Sequence, residues 1–457
     1  MRIEKCFTFF LIVLIMTYLI FFLTAPTYRF GDDLRYLSLA KSIVIEKNPF
    51  LEKDLIAGYP VWYPPLVPYI FALFYLIFQN NFLLWVFFSR LTELLVFFIS
   101  LFIFYKLTNY FKLSIKEKIV ALGLFSFIPE MIYASVSLMQ EIFMVFFTLL
   151  LFFLLFKKKP NYPLIALVSG LMFLTKQTAF FVFFGFILTI FVMKKERKEK
   201  ILLLISALIG ILVISGFWYY RNFVVFGNPL YYPSYERVVR EESIFQLLYE
   251  EYLVIWGLLP AQRIIDKFPF LNSNLVNSLL FFGGVFFLPI IFIFVKNLFK
   301  YKKQFIYVLP PIFSLSVFLI YTPFFLGFMG MRYFLPSVPF LALIVSKGSN
   351  QKYLFFYFLI VFILFLIISA ITQFTMIKKE NDILSSLDSI FKKFPTKEII
   401  MYKYDFHLRW VTNLFFGKDS QAIESISCTS SEKKGILNYC LENNKIIIFR
   451  EGVFVIV

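Results

Sequence analysis

Eleven times the chain runs apolar for long enough, or nearly so, to cross a hydrocarbon layer, and no other feature narrows its folds as much. The runs lie near Cys6–Ala25, Leu84–Tyr105, Ile119–Val136, Glu141–Phe156, Pro163–Leu174, Ala179–Met193, Ile201–Tyr219, Leu279–Val295, Phe305–Phe324, Arg332–Ser346 and Tyr353–Thr372. A backbone inside lipid must satisfy its own polar groups, and a helix does so within each run. The expected fold is an α-helical polytopic membrane protein with about eleven transmembrane helices. Composition agrees: 60% of the 457 residues are hydrophobic, where soluble domains hold roughly half.

Charge then assigns sides. A net +17 alone would suit a nucleic-acid or membrane-surface partner. Six short links between runs hold twenty cations, from Arg2 and Lys5 to Lys347 and Lys352, against Glu4, Glu117, Glu196 and Glu199. They carry +16 of the +17, so the excess is a positive-inside pattern and no nucleic-acid partner is needed. The amino terminus is expected in the cytoplasm, with Cys6–Ala25 as an uncleaved anchor because no small-x-small cleavage site follows it.

The apolar piece Leu66–Phe78 is read as a re-entrant or interfacial helix. It is short for a span, and a crossing there would put every later basic link on the wrong side. Pro163–Met193 is basic at both flanks and must cross twice, with Thr175-Lys176-Gln177 at an outer turn. The expected organisation is a transmembrane domain over 1–372, with extracytoplasmic loops at 26–82 and 220–278, then an extracytoplasmic tail over 373–457. Helix-like Asp382–Phe394 and strand-like Glu398–Tyr404 and Lys445–Val457 make that tail a small α/β domain.

Metal and redox chemistry are narrowly bounded. His407 is the one histidine, which excludes a histidine-rich zinc site; any metal must sit on carboxylates. No cofactor is indicated, and a divalent cation is left open. Cys428 and Cys440 could pair if the tail faces an oxidising compartment.

Polar residues gather on the expected outer side. Asp32-Asp33-Leu34-Arg35-Tyr36 follows the first run. One aspartate there caps a helix whose Leu34, Leu37, Ile43 and Val44 would lie on the membrane, and a second adds repulsion unless another task needs it. Trp62-Tyr63-Pro64-Pro65-Leu66 fixes an extended backbone before the short apolar helix and is mostly structural. Arg90, Glu93, Glu130, Glu141, Lys176, Arg221 and Arg332 stand at outer ends of runs. Snorkelling accounts for terminal Arg and Lys but poorly for Glu130 and Glu141, whose side chains are short. A transporter or flippase of lipid-linked sugars would show internal repeats and midplane charges, and neither is evident. A non-catalytic scaffold is the other reading outside enzymes.

These segments resemble C-type membrane glycosyltransferases, the superfamily of dolichyl-phosphate-mannose–protein mannosyltransferases and the bacterial aminoarabinose transferase of lipid A. Asp32 to Tyr36 is similar to their first-loop Asp-(Asp/Glu)-x-Arg-Tyr motif, and Tyr63-Pro64-Pro65-Leu66 to their (Lys/His)-Pro-Pro-Leu. Gly170 to Lys176 looks like Gly-Leu-x-Phe-Leu-Thr-Lys, and Trp218 to Pro229 like Trp-Tyr-x-Arg-Asn-x-x-x-Phe-Gly-Asn-Pro. Arg332-Tyr333 with Pro336 and Pro339 is similar to an Arg-Tyr-x-x-Pro-x-x-Pro span start. The likeness covers residues 1–346; Tyr63 departs from the aminoarabinose transferase, which has lysine there, so sugar and acceptor are not read from it.

The resemblance implies an enzyme that moves a sugar from a polyprenyl-phosphate donor to an extracytoplasmic protein, lipid or glycan acceptor. Asp32 would be the general base, with Asp33 beside it, and Arg35, Lys176, Arg221 and Arg332 would hold the donor phosphate. Tyr36, Tyr63, Glu141 and Tyr333 would line the remaining substrate site, Glu141 also being the candidate for an acceptor group or a divalent ion. An oligosaccharide polymerase or ligase is the alternative within enzymes.

Overall fold

The computed structural model describes residues 2–26, 32–48, 50, 54, 61, 63–79, 81–231, 273–316, 331–349, 351–395, 397–402, 406–423, 431–442 and 445–450. Helices dominate, and a small sheet closes the chain. Among the described residues, four helices are long and apolar enough to cross a membrane: those containing Glu4–Thr24, Phe82–Tyr110, Arg197–Phe226 and Lys352–Lys393. Leu66–Phe78, Gln140–Phe156, Tyr162–Phe173, Ala179–Val192 and Tyr333–Ser346 are apolar but shorter. The long helices expose Leu23, Phe102, Val213 and Ile363, the side-chain chemistry of a lipid-facing surface. The chain is a membrane protein.

The described chain forms two compact units. One gathers Met1–Thr24, Trp62–Leu66 and Leu91–Thr372; the other gathers Ala25–Val61, Val67–Arg90 and Gln373–Val457.

In chain order the helices of interest are α1 (Arg2–Thr24), α2 (Asp32–Glu46), α3 (Leu66–Phe78), α4 (Phe82–Tyr110), α5 (Ile115–Phe127), α6 (Pro129–Ala134), α7 (Gln140–Phe156), α8 (Tyr162–Phe173), α9 (Ala179–Val192), α10 (Arg197–Gly210) and α11 (Gly216–Phe226). After them come α12 (Ser273–Lys300), α13 (Val338–Ser346), α14 (Lys352–Lys393) and α15 (Phe406–Phe416).

The short helix expected over Leu66–Phe78 is α3 to the residue, and the break between α8 and α9 falls at the expected turn. Several expected runs differ, and Phe305–Phe324 lies partly outside the described residues. Pro129 lacks an N–H and cannot continue α5, so Ile119–Val136 becomes α5 and a six-residue α6. Ile201–Tyr219 belongs to a longer helix, α10 to α11, with a π-helical turn over Ile211–Ser215 between them. Arg332–Ser346 starts as a 3₁₀ turn, Met331–Ser337, that holds Pro336 and tightens the backbone before α13. Tyr353–Thr372 does not stop: α14 continues for 42 residues, about 63 Å at 1.5 Å each, far beyond a ~30 Å hydrocarbon core.

Packing in the first unit depends on close backbone approach. A Cβ on Gly170 of α8 would stand 2.4 Å from the Gly210 carbonyl oxygen, and one on Gly210 would stand 1.8 Å from that of Ala166. Only glycine lets α8 and α10 meet there, so Gly170 of the third motif has a packing task. Tyr18 of α1 stacks on Phe97 of α4 at 4.1 Å and donates to the Ser126 carbonyl of α5.

The second unit contains the sheet, with strand order β2-β1-β5-β4-β3. Its strands are β1 (Glu398–Tyr402), β2 (Ser420–Ile423), β3 (Glu432–Lys434), β4 (Leu437–Glu442) and β5 (Lys445–Arg450). β1 pairs in parallel with β2 and β5, while β4 pairs antiparallel with β5 and β3. Ile400, Cys440, Ile447 and Phe449 make a small core on it. The α/β character expected of the tail holds, and its strand-like stretches are β1 and β5.

Candidate active site

In the first unit, the site is built outward from the start of α7. After α6 the chain turns through Ser135 to Met139, and Leu138 adopts φ +57°, where few leucines sit. Its N–H donates to Glu93 Oε2 of α4 at 2.6 Å. The helix then opens with two buried polar side chains, Gln140 and Glu141. Gln140 Nε2 donates to the Pro64 carbonyl at 3.4 Å. Glu141 Oε1 lies 2.5 Å from Lys176 Nζ, with side chains 2% and 10% exposed. Burying such a pair costs several kcal/mol of desolvation per ion, which close geometry must offset.

Lys176 has a second neighbour. Its Nζ lies 4.1 Å from the centroid of the Tyr333 ring, a cation–π contact. Two residues upstream, the Leu174 carbonyl accepts from Leu66 N–H at 2.9 Å. Gln177 Nε2 donates to the Tyr231 carbonyl at 3.1 Å, just past the Asn228-Pro229 turn. Direct contacts therefore join four of the five motifs: the proline pair, the Thr-Lys turn, the Asn-Pro turn and the Arg-Tyr span start. No spacing argument could have found this, because the four are scattered from Tyr63 to Tyr333.

Arg221 is helical on α11, although the sequence reading puts it in a loop. It is 7% exposed, with its Cζ 4.8 Å from the Trp218 ring centroid and 5.0 Å from that of Phe226. Nη1 donates to Asn222 Oδ1 at 2.8 Å, and Asn222 Nδ2 reaches the Pro229 carbonyl at 3.4 Å. Gly227, at φ +70°, ends the helix in the left-handed region, so the chain folds back and Tyr231 stacks on Phe226 at 4.1 Å. The fourth motif thus caps its own helix and orients one guanidinium.

The second unit holds the aspartate motif. Asp32 and Asp33 begin α2, and Asp33 is buried with Oδ1 accepting from Leu34 N–H at 2.9 Å. Leu34, Tyr36 and Leu37 are buried, and α2 packs against the tail helix α15. The membrane-facing surface expected for Leu34 and Leu37 is therefore covered by protein. Arg35 Cζ stands 5.5 Å from the ring centroid of Trp410, which is fully buried. Ser38 Oγ donates to Asp54 Oδ1 at 2.8 Å, and Lys41 Nζ donates to Asn413 Oδ1 at 2.7 Å. Burial pushes the Lys41 ammonium below the usual lysine range, an effect partly offset by Asp419.

The side chains of Asp32 and Arg332 lie outside the described residues, and Tyr63 is half-buried beside Pro64. Sequence reasoning passed over Gln140, Asn222, Asp54, Trp410 and Asn413. Asn222 stood inside a quoted motif; the others carry no local mark, since each matters only through a distant partner. Among the described residues, no three His, Cys, Asp or Glu side chains gather to hold a metal, and Glu141 pairs with an ammonium. An apolar cavity of about 600 Å³ lies at the far end of α9 from Lys176, between Leu188 and Phe313, and offers only Ser316 as a polar side chain. It is no part of this site.

Residues 63–220 match the family described as dolichyl-phosphate-mannose-protein mannosyltransferase. That segment contains the proline pair, the Thr-Lys turn and the start of the Trp-Tyr-x-Arg-Asn cap. No curated protein matches the chain in sequence. Among solved structures, ArnT from Cupriavidus metallidurans in the apo state superposes with a TM-score of 0.60 at 11% identity, over 93% of this chain and 87% of that one. The same protein bound to undecaprenyl phosphate gives 0.55 at 11% identity, over 92% and 86%. The archaeal oligosaccharyltransferase AglB from Archaeoglobus fulgidus, in complex with an inhibitory peptide and a dolichol-phosphate, gives 0.51 at 12%, over 91% of this chain and 64% of that one. The resemblance read from the motifs recurs in an independent family match and in an ArnT-like fold.

Proposed function

We propose, from an ArnT-like fold that carries a mannosyltransferase-type segment, that the protein is an inverting glycosyltransferase using a polyprenyl-phosphate sugar. One observation carries the reading: the Glu141–Lys176 pair, buried beside Tyr333 and tied to the proline segment through Gln140. Polar junctions of this kind are costly in a membrane protein and mark function by default. The undecaprenyl phosphate on ArnT and the dolichol-phosphate on AglB support a polyprenyl-phosphate carrier.

A polyprenyl phosphate leaves as a stabilised anion and needs cations more than an acid. In this reading Asp32 takes the proton from the acceptor hydroxyl or amine as its oxygen or nitrogen attacks the anomeric carbon. The bond from that carbon to the phosphate oxygen breaks, and the phosphate gains the charge. Lys176, Arg221, Arg332 and Arg35 meet that charge, Lys176 shifting part of its pairing from Glu141 to the donor. Asp33 orients Asp32, and Tyr36, Tyr63 and Tyr333 line the sugar and acceptor. One displacement inverts the anomeric centre. The lipid tail lies in the bilayer beside Pro64 to Phe78, in an eleven-span topology with the amino terminus cytoplasmic and the loops and tail outside. Cys440 is disulfide-bonded, which suits a tail in an oxidising compartment.

The fold shared with AglB keeps transfer of a lipid-linked oligosaccharide as the second reading. Purified protein given polyprenyl-phosphate and polyprenyl-diphosphate sugars separates them. Transfer from monophosphate donors that disappears in Asp32→Asn, with folding and donor binding retained, is the expected result. No transfer from any such donor, together with an unchanged glycoconjugate profile in cells lacking the protein, would overturn the proposal.

A further inference from the structure

The turn before α7 breaks two local rules at once. Leu138 sits at φ +57°, buried, where glycine would be unstrained, and Met139 at the helix start provides no side-chain cap. A glycine at 138 and a serine or aspartate at 139 would build the same turn from within. The chain instead supplies a carboxylate from another helix: Glu93 of α4, fully buried, accepts from Leu138 N–H at 2.6 Å. A bond of that length to a fully buried carboxyl oxygen holds a backbone that would otherwise relax. It acts two residues before Gln140, which reaches Pro64, and three before Glu141, which pairs with Lys176.

We infer that Glu93 is a positioning residue of the transferase: by pinning Leu138 in a left-handed turn, it sets the rotation in which α7 presents Gln140 and Glu141. Strain held by a buried group from a distant element, beside buried polar side chains, is the pattern of a pre-organised site. The inference rests on the transferase reading and adds a residue that touches no substrate.

The test uses the full-length protein in nanodiscs, with kcat and KM expressed per folded molecule and amide hydrogen exchange followed over 138–142. Glu93→Ala is expected to lower kcat at least about tenfold, the scale of small misplacements at an active site, with KM for the donor changed less than about threefold. Exchange over 138–142 should quicken while α8 and α9 stay unchanged. Glu93→Gln keeps an acceptor oxygen and should fall between Ala and wild type. Adding Leu138→Gly to Glu93→Ala removes the strain and should recover part of kcat and of the protection. Unchanged kcat per folded molecule in Glu93→Ala, or unchanged exchange over 138–142, overturns the inference. A wild type with no transfer activity whose exchange still depends on Glu93 and Leu138 as described overturns the transferase reading and leaves the turn's role standing.

Discussion

Two ion pairs of nearly equal span in sequence separate the helical unit from the tail. Glu141 and Lys176 are 35 residues apart and meet at 2.5 Å; Lys393 and Glu432 are 39 apart and meet at 2.9 Å. The first pair is 2% and 10% exposed, the second 66% and 53% for its acid and base. Water screens the second, so its loss releases little. The first has protein where the second has water, and removing either of these two partners leaves the other charge buried. Distance alone cannot tell a structural ornament from a committed site; the surroundings do.

Lys176→Met should break this contrast hardest. It leaves Glu141 buried without its ammonium and is expected to cost about 3–5 kcal/mol, read as a fall in the unfolding midpoint in detergent. Combining it with Glu141→Gln should recover most of the stability while transfer stays lost. Recovery of both would make the pair purely structural.

Gly170→Leu probes the same unit without touching charge. Its side chain would meet the Gly210 carbonyl and Ile214 of the neighbouring helix, so overpacking of about 1–3 kcal/mol is expected by thermal unfolding. Arg221→Lys keeps the charge but loses the planar group between Trp218 and Phe226, a change of about 0.5–2 kcal/mol in stability. If Arg221 also holds donor phosphate, KM for the donor rises more than the stability loss explains.

The tail should respond least. Lys393→Gln is expected to leave the unfolding midpoint unchanged within error. The Tyr439 hydroxyl and then the Lys393 ammonium hold the Glu432 carboxyl below its ordinary 4.5. A depressed carboxylate stabilises the fold above its unfolded value and loses that contribution as pH falls through the folded one. The contribution of this network should therefore be constant from neutral pH down to about 5 and decline below it, read as the difference between wild type and Glu432→Gln. A large drop would show that this network is not solvated as its exposure indicates.

Several features were legible in the chain itself. Helical class, the short α3, the α8–α9 break and the α/β tail follow from periodicity, proline positions and strand-like runs, which act over a few residues. The outer-end charges were visible as candidates for the same reason: a glutamate such as Glu141 at the end of an apolar run is locally anomalous. The left-handed Leu138, the unbroken α14 and the cover that α15 gives α2 were not legible. The first and the last are decided by partners far away in sequence.

The amino-acid sequence by itself determined that this protein is a bundle of apolar helices with a polar tail, because burial of backbone groups in lipid leaves a chain of this pattern little choice. It also determined which residues are chemically out of place. Only the tertiary structure decided that Pro64 to Leu66, Gln140, Glu141, Lys176 and Tyr333 form one junction, and that Asp33 to Lys41 packs on the tail helix. Those contacts join segments dozens to hundreds of residues apart, and their energies depend on burial and on ångström-scale geometry that no local pattern encodes.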